Sequence, residues 1–251
     1  MTKEITVISG KGGCGKTTLT ASLVALASDL IIADADVDAA DMHILLHPKI
    51  RHKEVFSGLK IAKKDDSLCI NCGKCYEHCR YGAFDSDYTY HDEKCEGCAV
   101  CEMVCPVGAM NMVERISGEA YVSTTRFGTM VHARLYPGEE ASGKLVALVR
   151  KMAREAAKKE KKETIIIDGP PGTGCTVIAS ITGVDLVVVV VEPSLSGIHD
   201  SKRIIEVARH FNIPVIACIN KHDINPQNTQ EIMDFLKLEN IELAGMLPTQ
   251  G

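Results

Sequence analysis

The chain has 251 residues, of which 45% are hydrophobic, enough for one main domain with a buried core and a smaller second module. A formal net charge of −5 and the absence of tryptophan argue against nucleic acid as a default partner. The longest apolar run, Leu186 to Val191, is too short to cross a bilayer, so we expect no membrane association. The first nine residues resemble a buried strand rather than a signal peptide, which leads us to expect a reducing, cytoplasmic location.

Apolar, strand-like segments alternate with helical patterns along most of the chain. The predicted strands are Ile5–Ser9, Leu30–Ala33, Thr164–Ile167, Leu186–Val191, Val215–Ile219 and Ile241–Ala244. The predicted helices are Thr17–Ser28, Lys144–Ala157, Ile198–His210 and Asn228–Leu236. This alternation predicts an α/β fold in which a mostly parallel sheet is flanked by helices.

A glycine-rich loop, Gly10 to Thr17, joins the first predicted strand to the first predicted helix. Its glycines let backbone N–H groups turn toward phosphate oxygens, and the helix N-terminus adds a positive dipole end. We expect Lys16 to neutralise phosphate charge and Thr17 to offer its hydroxyl to Mg²⁺. A glycine turn that binds no nucleotide is the alternative. The residues predicted to bind the nucleotide in this loop are Gly12, Gly13, Cys14, Gly15, Lys16, Thr17 and Thr18.

Two cysteine ladders with the same spacing follow, the second displaced by 26 residues (95 minus 69). Thiolates at this spacing bind [4Fe–4S] clusters, three from the tight run and the fourth from the other run. The predicted ligands of the first cluster are Cys69, Cys72, Cys75 and Cys105, and those of the second are Cys95, Cys98, Cys101 and Cys79. One departure between the ladders is Arg80, which stands where the second ladder has Pro106.

Disulfides and zinc are the alternatives for these cysteines. Disulfides would suit a small secreted domain, and zinc usually needs two separated pairs rather than two runs of four. The ladders interrupt the strand and helix alternation after about residue 55, and it resumes near Glu119. We therefore predict an inserted α+β module of residues 56–118 with two [4Fe–4S] clusters. The P-loop domain would be discontinuous, formed by residues 1–55 and 119–251.

Several motifs resemble the MinD/Mrp group of dimeric P-loop ATPases, and the likeness covers nearly the whole chain. They are Lys11–Thr17, Asp34-Ala-Asp36 with Asp41, Ser142–Val146, Asp168–Gly172 and Glu192–Asp200. The insert resembles the bacterial-type two-cluster ferredoxin of one subfamily. The resemblance implies Mg²⁺-dependent ATP hydrolysis by a dimer, formed with a second copy or with a paralogue.

The resemblance also implies roles for charged residues. Lys11 would reach across the dimer to the partner's nucleotide and stabilise charge that develops during phosphoryl transfer. Asp36 would orient the attacking water, and Asp168 would assist Mg²⁺. Aspartates after strands can instead cap helices. The expected supporting charges are Asp34, Asp38 and Asp41.

The segment Asn220-Lys-His-Asp223 has the form of a base-recognition loop. The string alone leaves GTP open, because such an aspartate can accept two hydrogen bonds from guanine. The resemblance favours ATP, with Asn220 at the adenine edge, and Asp223 is alternatively a turn residue before Asn225. The same resemblance leads us to expect that related proteins continue past the position of Gly251 and that the added residues form more of the base pocket.

Three cysteines lie outside the ladders. Cys14 occupies the variable position of the glycine-rich loop, and Cys218 is expected in the core of a strand. For Cys175 we expect a buried thiol rather than a ligand of a further cluster.

Three functions are compatible with these motifs. The first is an ATPase whose nucleotide state gates electron transfer through the two clusters to a redox protein partner. The second is an iron–sulfur assembly or delivery factor of the Mrp type. The third is a positioning or scaffold ATPase of the MinD/ParA kind with structural clusters, which the lack of a basic amphipathic helix or a basic stripe disfavours.

Overall fold

The computed structural model describes residues 2–139 and 143–249. Ser142, which belongs to one of the motifs above, lies outside the described residues, as do Gln250 and Gly251. No helix in the described part of the chain is long and apolar enough to cross a membrane.

The chain divides into two compact units. The first comprises Met1–Glu54, Glu119–Leu135 and Glu140–Gly251, and the second comprises Val55–Gly118 and Tyr136–Glu139. The short segment Tyr136–Glu139 therefore groups with the cysteine module, although its sequence position is within the expected P-loop domain. Arg115 and Glu139 form an ion pair within this second unit.

Nine strands and eight α-helices are found in the described residues. The strands are β1 Lys3–Ser9, β2 Leu30–Asp34, β3 Lys49–Lys64, β4 Met110–Thr125, β5 Gly128–Leu135, β6 Thr164–Pro171, β7 Leu186–Val191, β8 Val215–Asn220 and β9 Glu242–Leu247. The helices are α1 Lys16–Leu26, α2 Met42–Leu46, α3 Lys74–His78, α4 Val100–Val104, α5 Gly143–Glu160, α6 Cys175–Ile181, α7 Leu195–His210 and α8 Pro226–Leu238.

The strand order is β3-β4-β5-β2-β6-β1-β7-β8-β9. β1 pairs in parallel with β6 and β7, β2 with β5 and β6, and β8 with β7 and β9. The predicted parallel α/β sheet is thus confirmed. Its central strands are continuous apolar runs because helices cover both faces of such a sheet; in β7, for example, all residues after Leu186 are buried.

Three strands and four short helices have no counterpart among the predicted elements: β3, β4, β5, α2, α3, α4 and α6. β3 and β4 are 16 residues each and largely exposed or half-buried, so they lack the short, wholly apolar pattern that marks the inner strands. The loop between β4 and β5 contains only Arg126 and Phe127, and strands joined by two residues pair antiparallel. The sheet is therefore mixed at this edge, although β5 is parallel to β2.

The parallel strands bring their carboxyl ends to one edge of the sheet, where loops of α/β proteins form binding sites. The glycine-rich loop follows β1, Asp36 follows β2, and Asp168 lies within β6. Glu192 follows β7, and Asn220 ends β8. Elements far apart in sequence thus supply one candidate site.

The second unit is an internal repeat with the same 26-residue offset as the ladders. Helix α3 at Lys74–His78 corresponds to α4 at Val100–Val104. Left-handed backbone conformations recur at equivalent positions: Asn71 and Gly97, Gly73 and Ala99, and Gly82 and Gly108. The two halves therefore share backbone geometry as well as cysteine spacing.

Candidate functional site

The glycine-rich loop has the conformation that its glycines permit. Gly13 and Gly15 have φ values of 81° and 87°, which residues with a side chain rarely adopt. A Cβ atom at Gly15 would lie 2.2 Å from Asn220 Nδ2, so a side chain here would displace the Asn220 amide from its bond to the Cys14 carbonyl. No heavy atom would lie within 4 Å of a Cβ at Gly12, and Thr18 is exposed on α1. The loop thus leads directly into α1 at Lys16.

The Lys16 ammonium group lies between two carboxylates. Its Nζ atom is 3.1 Å from Asp36 Oδ2 and 3.2 Å from Asp168 Oδ1, and its side chain is only 6% exposed. Burial acts to lower the pKa of Lys16, but the attraction of Asp168 and Asp36 outweighs it and raises the pKa above its ordinary value. Lys16 is therefore a fixed positive charge at this edge of the sheet.

Two hydroxyl groups of α1 hold Asp168. Thr17 Oγ1 donates to Asp168 Oδ2 at 2.7 Å, and Thr20 Oγ1 lies 2.8 Å from Asp168 Oδ1. Thr20 is fully buried, and its oxygen also lies 2.9 Å from the carbonyl oxygen of Lys16. Thr20 is absent from the predicted site residues; its spacing of one helical turn from Lys16 and Thr17 is the signal that could have identified it.

The site has more negative than positive charge. Asp34, Asp36 and Asp168 are all buried around the single ammonium group of Lys16. Burial, and then the charge of Asp168, raises the pKa of Asp34 well above its ordinary value, and burial also raises the pKa of Asp36. Among the described residues, Asp34 Oδ2 and Asp36 Oδ1 are buried oxygens without a hydrogen-bond partner.

This donor set fits a divalent cation with a phosphate ligand. Mg²⁺ prefers oxygen ligands, takes only one or two from the protein, and completes its shell with phosphates and water. Thr17 and Asp168 are the residues that could hold it, since their oxygens lie together at the start of α1. No three His, Cys, Asp or Glu side chains in residues 2–139 and 143–249 are arranged to bind a single metal ion directly, so phosphate and water would have to complete the shell of Mg²⁺.

Lys11 is held by the segment that starts α7. Its Nζ atom lies 3.0 Å from Ser194 Oγ, 3.3 Å from Ser196 Oγ and 3.8 Å from Glu192 Oε1. Glu192 also accepts a hydrogen bond at 3.1 Å from Lys221 Nζ. Within one chain, Lys11 therefore points to the start of α7. Glu192 links Lys11 to the base-recognition loop, because its carboxylate contacts both Lys11 and Lys221. The sequence placed Glu192 at the start of a motif but assigned it no role in the site.

The base-recognition loop contacts the glycine-rich loop directly. Asn220 Nδ2 donates to the carbonyl oxygen of Cys14 at 2.8 Å, and Lys221 Nζ lies 3.4 Å from that of Gly13. Asp223 Oδ1 accepts bonds from the backbone N–H and the hydroxyl of Thr249, at 2.7 and 2.9 Å. These bonds lower the pKa of Asp223 and keep its carboxylate charged.

Some predicted positions differ in the structure. Asp38 and Asp41 are exposed, and Asp41 stands at the N-cap position of α2, so only Asp34 of the expected supporting charges lies at Lys16. Cys175 is exposed at the start of α6, and the prediction of a buried thiol was wrong because α6 begins at the surface, directly after a glycine. Cys14 and Cys218 are buried.

The cysteines of the second unit surround two cavities. The first is lined by Lys64, Cys69, Ile70, Asn71, Cys72, Gly73, Lys74, Cys75, Tyr88, Cys105, Val107, Ala109 and Met110. The second is lined by Cys79, Tyr81, Ala83, Phe84, Cys95, Glu96, Cys98, Ala99, Val100, Cys101 and Met112. Each cavity thus contains three cysteines of one ladder and the last cysteine of the other.

Backbone N–H groups point at several of these sulfur atoms. Ala109 N lies 3.2 Å from Cys105 Sγ, Asn71 N lies 3.4 Å from Cys69 Sγ, and Ala62 N lies 3.5 Å from Cys95 Sγ. Four thiols around a mainly apolar wall, with N–H donors to sulfur, suit a [4Fe–4S] cluster. The two cavities therefore fit the predicted clusters.

Comparison with known proteins bears on both the cysteine module and the rest of the chain. The family described as "4Fe-4S dicluster domain" matches residues 62–112. Uncharacterized protein MJ0578 of Methanocaldococcus jannaschii is 36% identical, and the alignment covers 90% of this chain and 80% of that protein. Uncharacterized ATP-binding protein MJ0547 of the same organism is 26% identical over 99% of this chain and 75% of its own length.

A solved structure shares the fold. The septum site-determining protein MinD of Pyrococcus horikoshii, complexed with Mg-ADP, has a TM-score of 0.52 and 17% identity, covering all of this chain and 82% of its own. Because identity is low, this likeness concerns the fold alone. Together with the motifs and the matched cluster domain, these findings show that the chain belongs to the MinD/Mrp family of deviant P-loop ATPases and contains an inserted 4Fe-4S dicluster domain.

Proposed function

We propose that the protein binds and hydrolyses ATP and that its nucleotide state gates electron transfer through two [4Fe–4S] clusters. The observation that carries the proposal is the placement of Lys16 between Asp36 and Asp168, in a chain whose second unit holds two four-cysteine cavities. A P-loop lysine and two carboxylates at strand ends are the parts that phosphoryl transfer needs.

The hydrolytic roles follow from the contacts. The Lys16 ammonium group would leave Asp36 for the phosphate oxygens, where it stabilises the charge that develops in the transition state. Asp36 is then free to orient a water molecule, and its Oδ1 atom already lacks a partner within the described residues. Thr17 and Asp168 would hold Mg²⁺, which when bound neutralises phosphate charge.

Recognition of ATP rather than GTP is part of the proposal. Asn220 Nδ2 is engaged by the Cys14 carbonyl and Asp223 by Thr249. A base approaching this loop would meet an aspartate that already accepts two bonds. The ATP-binding description of the relative MJ0547 supports the same choice.

A dimer would complete the site. Lys11 is 32% exposed, and its nearest partners are the neutral hydroxyls of Ser194 and Ser196. The Glu192 carboxylate is 3.8 Å away, so Lys11 can leave Ser194 for a partner's nucleotide. The partner chain is a second copy or a paralogue, and electrons would come from or go to a separate redox protein. A hydrolysis rate per chain that rises with protein concentration is the expected sign of the dimer. A cytoplasmic location stays a prediction.

An anaerobic redox titration followed by EPR tests the gating. We expect a non-hydrolysable ATP analogue with Mg²⁺ to shift at least one cluster potential by about 30 mV, equivalent to about 0.7 kcal/mol for one electron. By reciprocity, cluster reduction must change nucleotide affinity by the same free energy. Two cluster signals that do not shift would mean that the modules are energetically independent, and would favour the assembly or delivery function.

Thr20 offers a test of the Mg²⁺ site. Thr20→Val keeps the shape of the side chain but removes the donor to Asp168. We therefore expect the variant to need about 10-fold more Mg²⁺ for half-maximal ATP hydrolysis. The Mg²⁺ concentration that gives half-maximal ATPase activity measures this. Thr20→Ser should keep the wild-type value, and Ser22→Ala, which removes an exposed hydroxyl from the same helix, should not alter it. An unchanged Mg²⁺ dependence in Thr20→Val would argue against a positioning role for Thr20.

Asp34 is expected to cost stability in the nucleotide-free protein. Its pKa is raised in the folded state, so the folded protein binds the proton more tightly than the unfolded chain, and stability falls as pH rises above the ordinary aspartate value of 3.8. Asp34→Asn retains the acceptor for the Asp36 N–H and should stabilise the protein by about 0.5–2 kcal/mol at pH 7. The gain should shrink toward pH 4.

Urea unfolding of Asp34→Asn and wild type at pH 7 and pH 4 measures this difference in the free energy of unfolding. Asp38→Asn, the same substitution at an exposed position, serves as control and should stay within about 0.5 kcal/mol of wild type. A destabilised Asp34→Asn protein at pH 7 would show that Asp34 makes a favourable interaction in the nucleotide-free state.

A further inference from the structure

The two cluster cavities differ in charge at equivalent positions of the repeat. Lys74 lines the first cavity, and its counterpart 26 residues later is Val100, which lines the second. Glu96 lines the second cavity, and its counterpart in the first is Ile70. Both replacements make the first cavity more positive than the second.

Other charged residues near the cavities do not cancel this difference in charge. Lys64 also lines the first cavity, but Asp66 lies 3.0 Å from its Nζ atom and offsets its charge. Arg80 follows Cys79 in sequence and is exposed, and it is not one of the residues that line the second cavity. The imbalance therefore rests on Lys74 and Glu96.

Hydrogen bonds to sulfur act in the same direction. The first cavity has backbone N–H donors from Asn71 to Cys69 and from Ala109 to Cys105, at 3.4 and 3.2 Å. The second has one such backbone bond, from Ala62 to Cys95 at 3.5 Å, and the Tyr90 side chain also interacts with Cys95. Positive charge and N–H donors near sulfur both stabilise the reduced, more negative cluster and so raise its reduction potential.

We propose that the two cluster sites have different reduction potentials and that the site of Cys69, Cys72, Cys75 and Cys105 holds the electron more tightly. With clusters bound and one electron in the module, the electron would pass from the site of Cys95, Cys98, Cys101 and Cys79 to that of Cys69, Cys72, Cys75 and Cys105; the former site would be oxidised and the latter reduced, with no proton or further reactant. The first site is thus the acceptor end of the module. This inference rests on the proposed binding of two clusters and is independent of nucleotide gating.

Exchanging the residues between the two halves tests the proposal. The probe is an anaerobic EPR-monitored titration of the full-length protein with dithionite, in which wild type should show two separate one-electron steps. Lys74→Val, which installs the residue of the second half, should lower the potential of the upper step alone. Glu96→Ile should raise the potential of the lower step alone, and the double variant should bring the two steps together.

Charge-conserving variants are the controls. Lys74→Arg and Glu96→Asp should titrate as wild type does, and iron content per chain shows whether each variant retains both clusters. Where Lys74→Val binds less iron, Lys74→Met makes the same charge change. A single step in wild type, a shift of the lower step by Lys74→Val, or equal shifts in Lys74→Val and Lys74→Arg would overturn the proposal. If wild type shows two separate steps but the ATP analogue shifts neither potential, nucleotide gating is wrong and the difference between the two sites still holds.

Discussion

Alanine at position 16 is expected to lower the rate of ATP hydrolysis by about 10²–10³-fold, the usual effect of losing one group that stabilises transition-state charge. Lys16 is the single ammonium group between Asp36 and Asp168, and no other described lysine lies within salt-bridge distance of either carboxylate. Its removal also leaves three buried carboxylates without a counterion. Breaking a buried ion pair from one side costs about 3–5 kcal/mol of folding stability.

The two effects of Lys16→Ala can be separated by pH. Without the ammonium group, the remaining carboxylates would keep their protons at higher pH in the folded state, so the loss of stability should be larger at pH 7 than at pH 5. ATPase rate and urea unfolding at both values measure the two effects. Lys151→Ala removes a lysine that is 67% exposed on α5 and should change neither. Near-normal hydrolysis by a folded Lys16→Ala protein would refute the proposed site.

Single cysteine substitutions should remove clusters in a crossed pattern. Cys79 belongs to the first ladder but lines the second cavity, and Cys105 belongs to the second ladder but lines the first cavity. We therefore expect Cys79→Ala and Cys101→Ala to lose one and the same cluster, and Cys105→Ala and Cys75→Ala to lose the other. Each variant should lose about half of its iron, because a cubane cluster needs four ligands.

Iron analysis and EPR of the reduced proteins measure this pattern. Cys218→Ala, a substitution of a buried cysteine in β8 outside the ladders, should retain both clusters. If Cys79→Ala and Cys75→Ala instead give the same spectrum, each ladder binds its own cluster, and the assignment of the two cavities is wrong.

Elements with one dominant pattern could be predicted from the sequence. β7 was predicted at its observed bounds, because a strand buried on both faces is an uninterrupted apolar run between breaks. β3 and β4 were not predicted, because they extend through a module whose sequence is dominated by cysteine spacing and their exposed residues show no steady alternation. A pattern predicts an element only where burial differs consistently between its faces.

The candidate site divides in the same way. Lys16, Thr17 and Asp168 were predicted because a motif fixes their identity and spacing, and the structure brings them together. Thr20 belongs to no motif, and Glu192 begins a motif to which no role was assigned; their importance comes from contacts across elements that meet only in the fold. The exposure of Cys175 likewise depends on where α6 begins, which local sequence does not determine.

The crossed sharing of cysteines between the two halves of the second unit has a consequence for its origin. One half alone supplies three ligands to one cluster and a single ligand to another, so it cannot complete either. Two identical copies related by a twofold axis would complete both, because each would lend its last cysteine to the other. A peptide with one ladder could thus hold both clusters only as a symmetric pair, whereas in one chain the two halves can differ, as Gly73 at φ 75° and its counterpart Ala99 at φ 62° do.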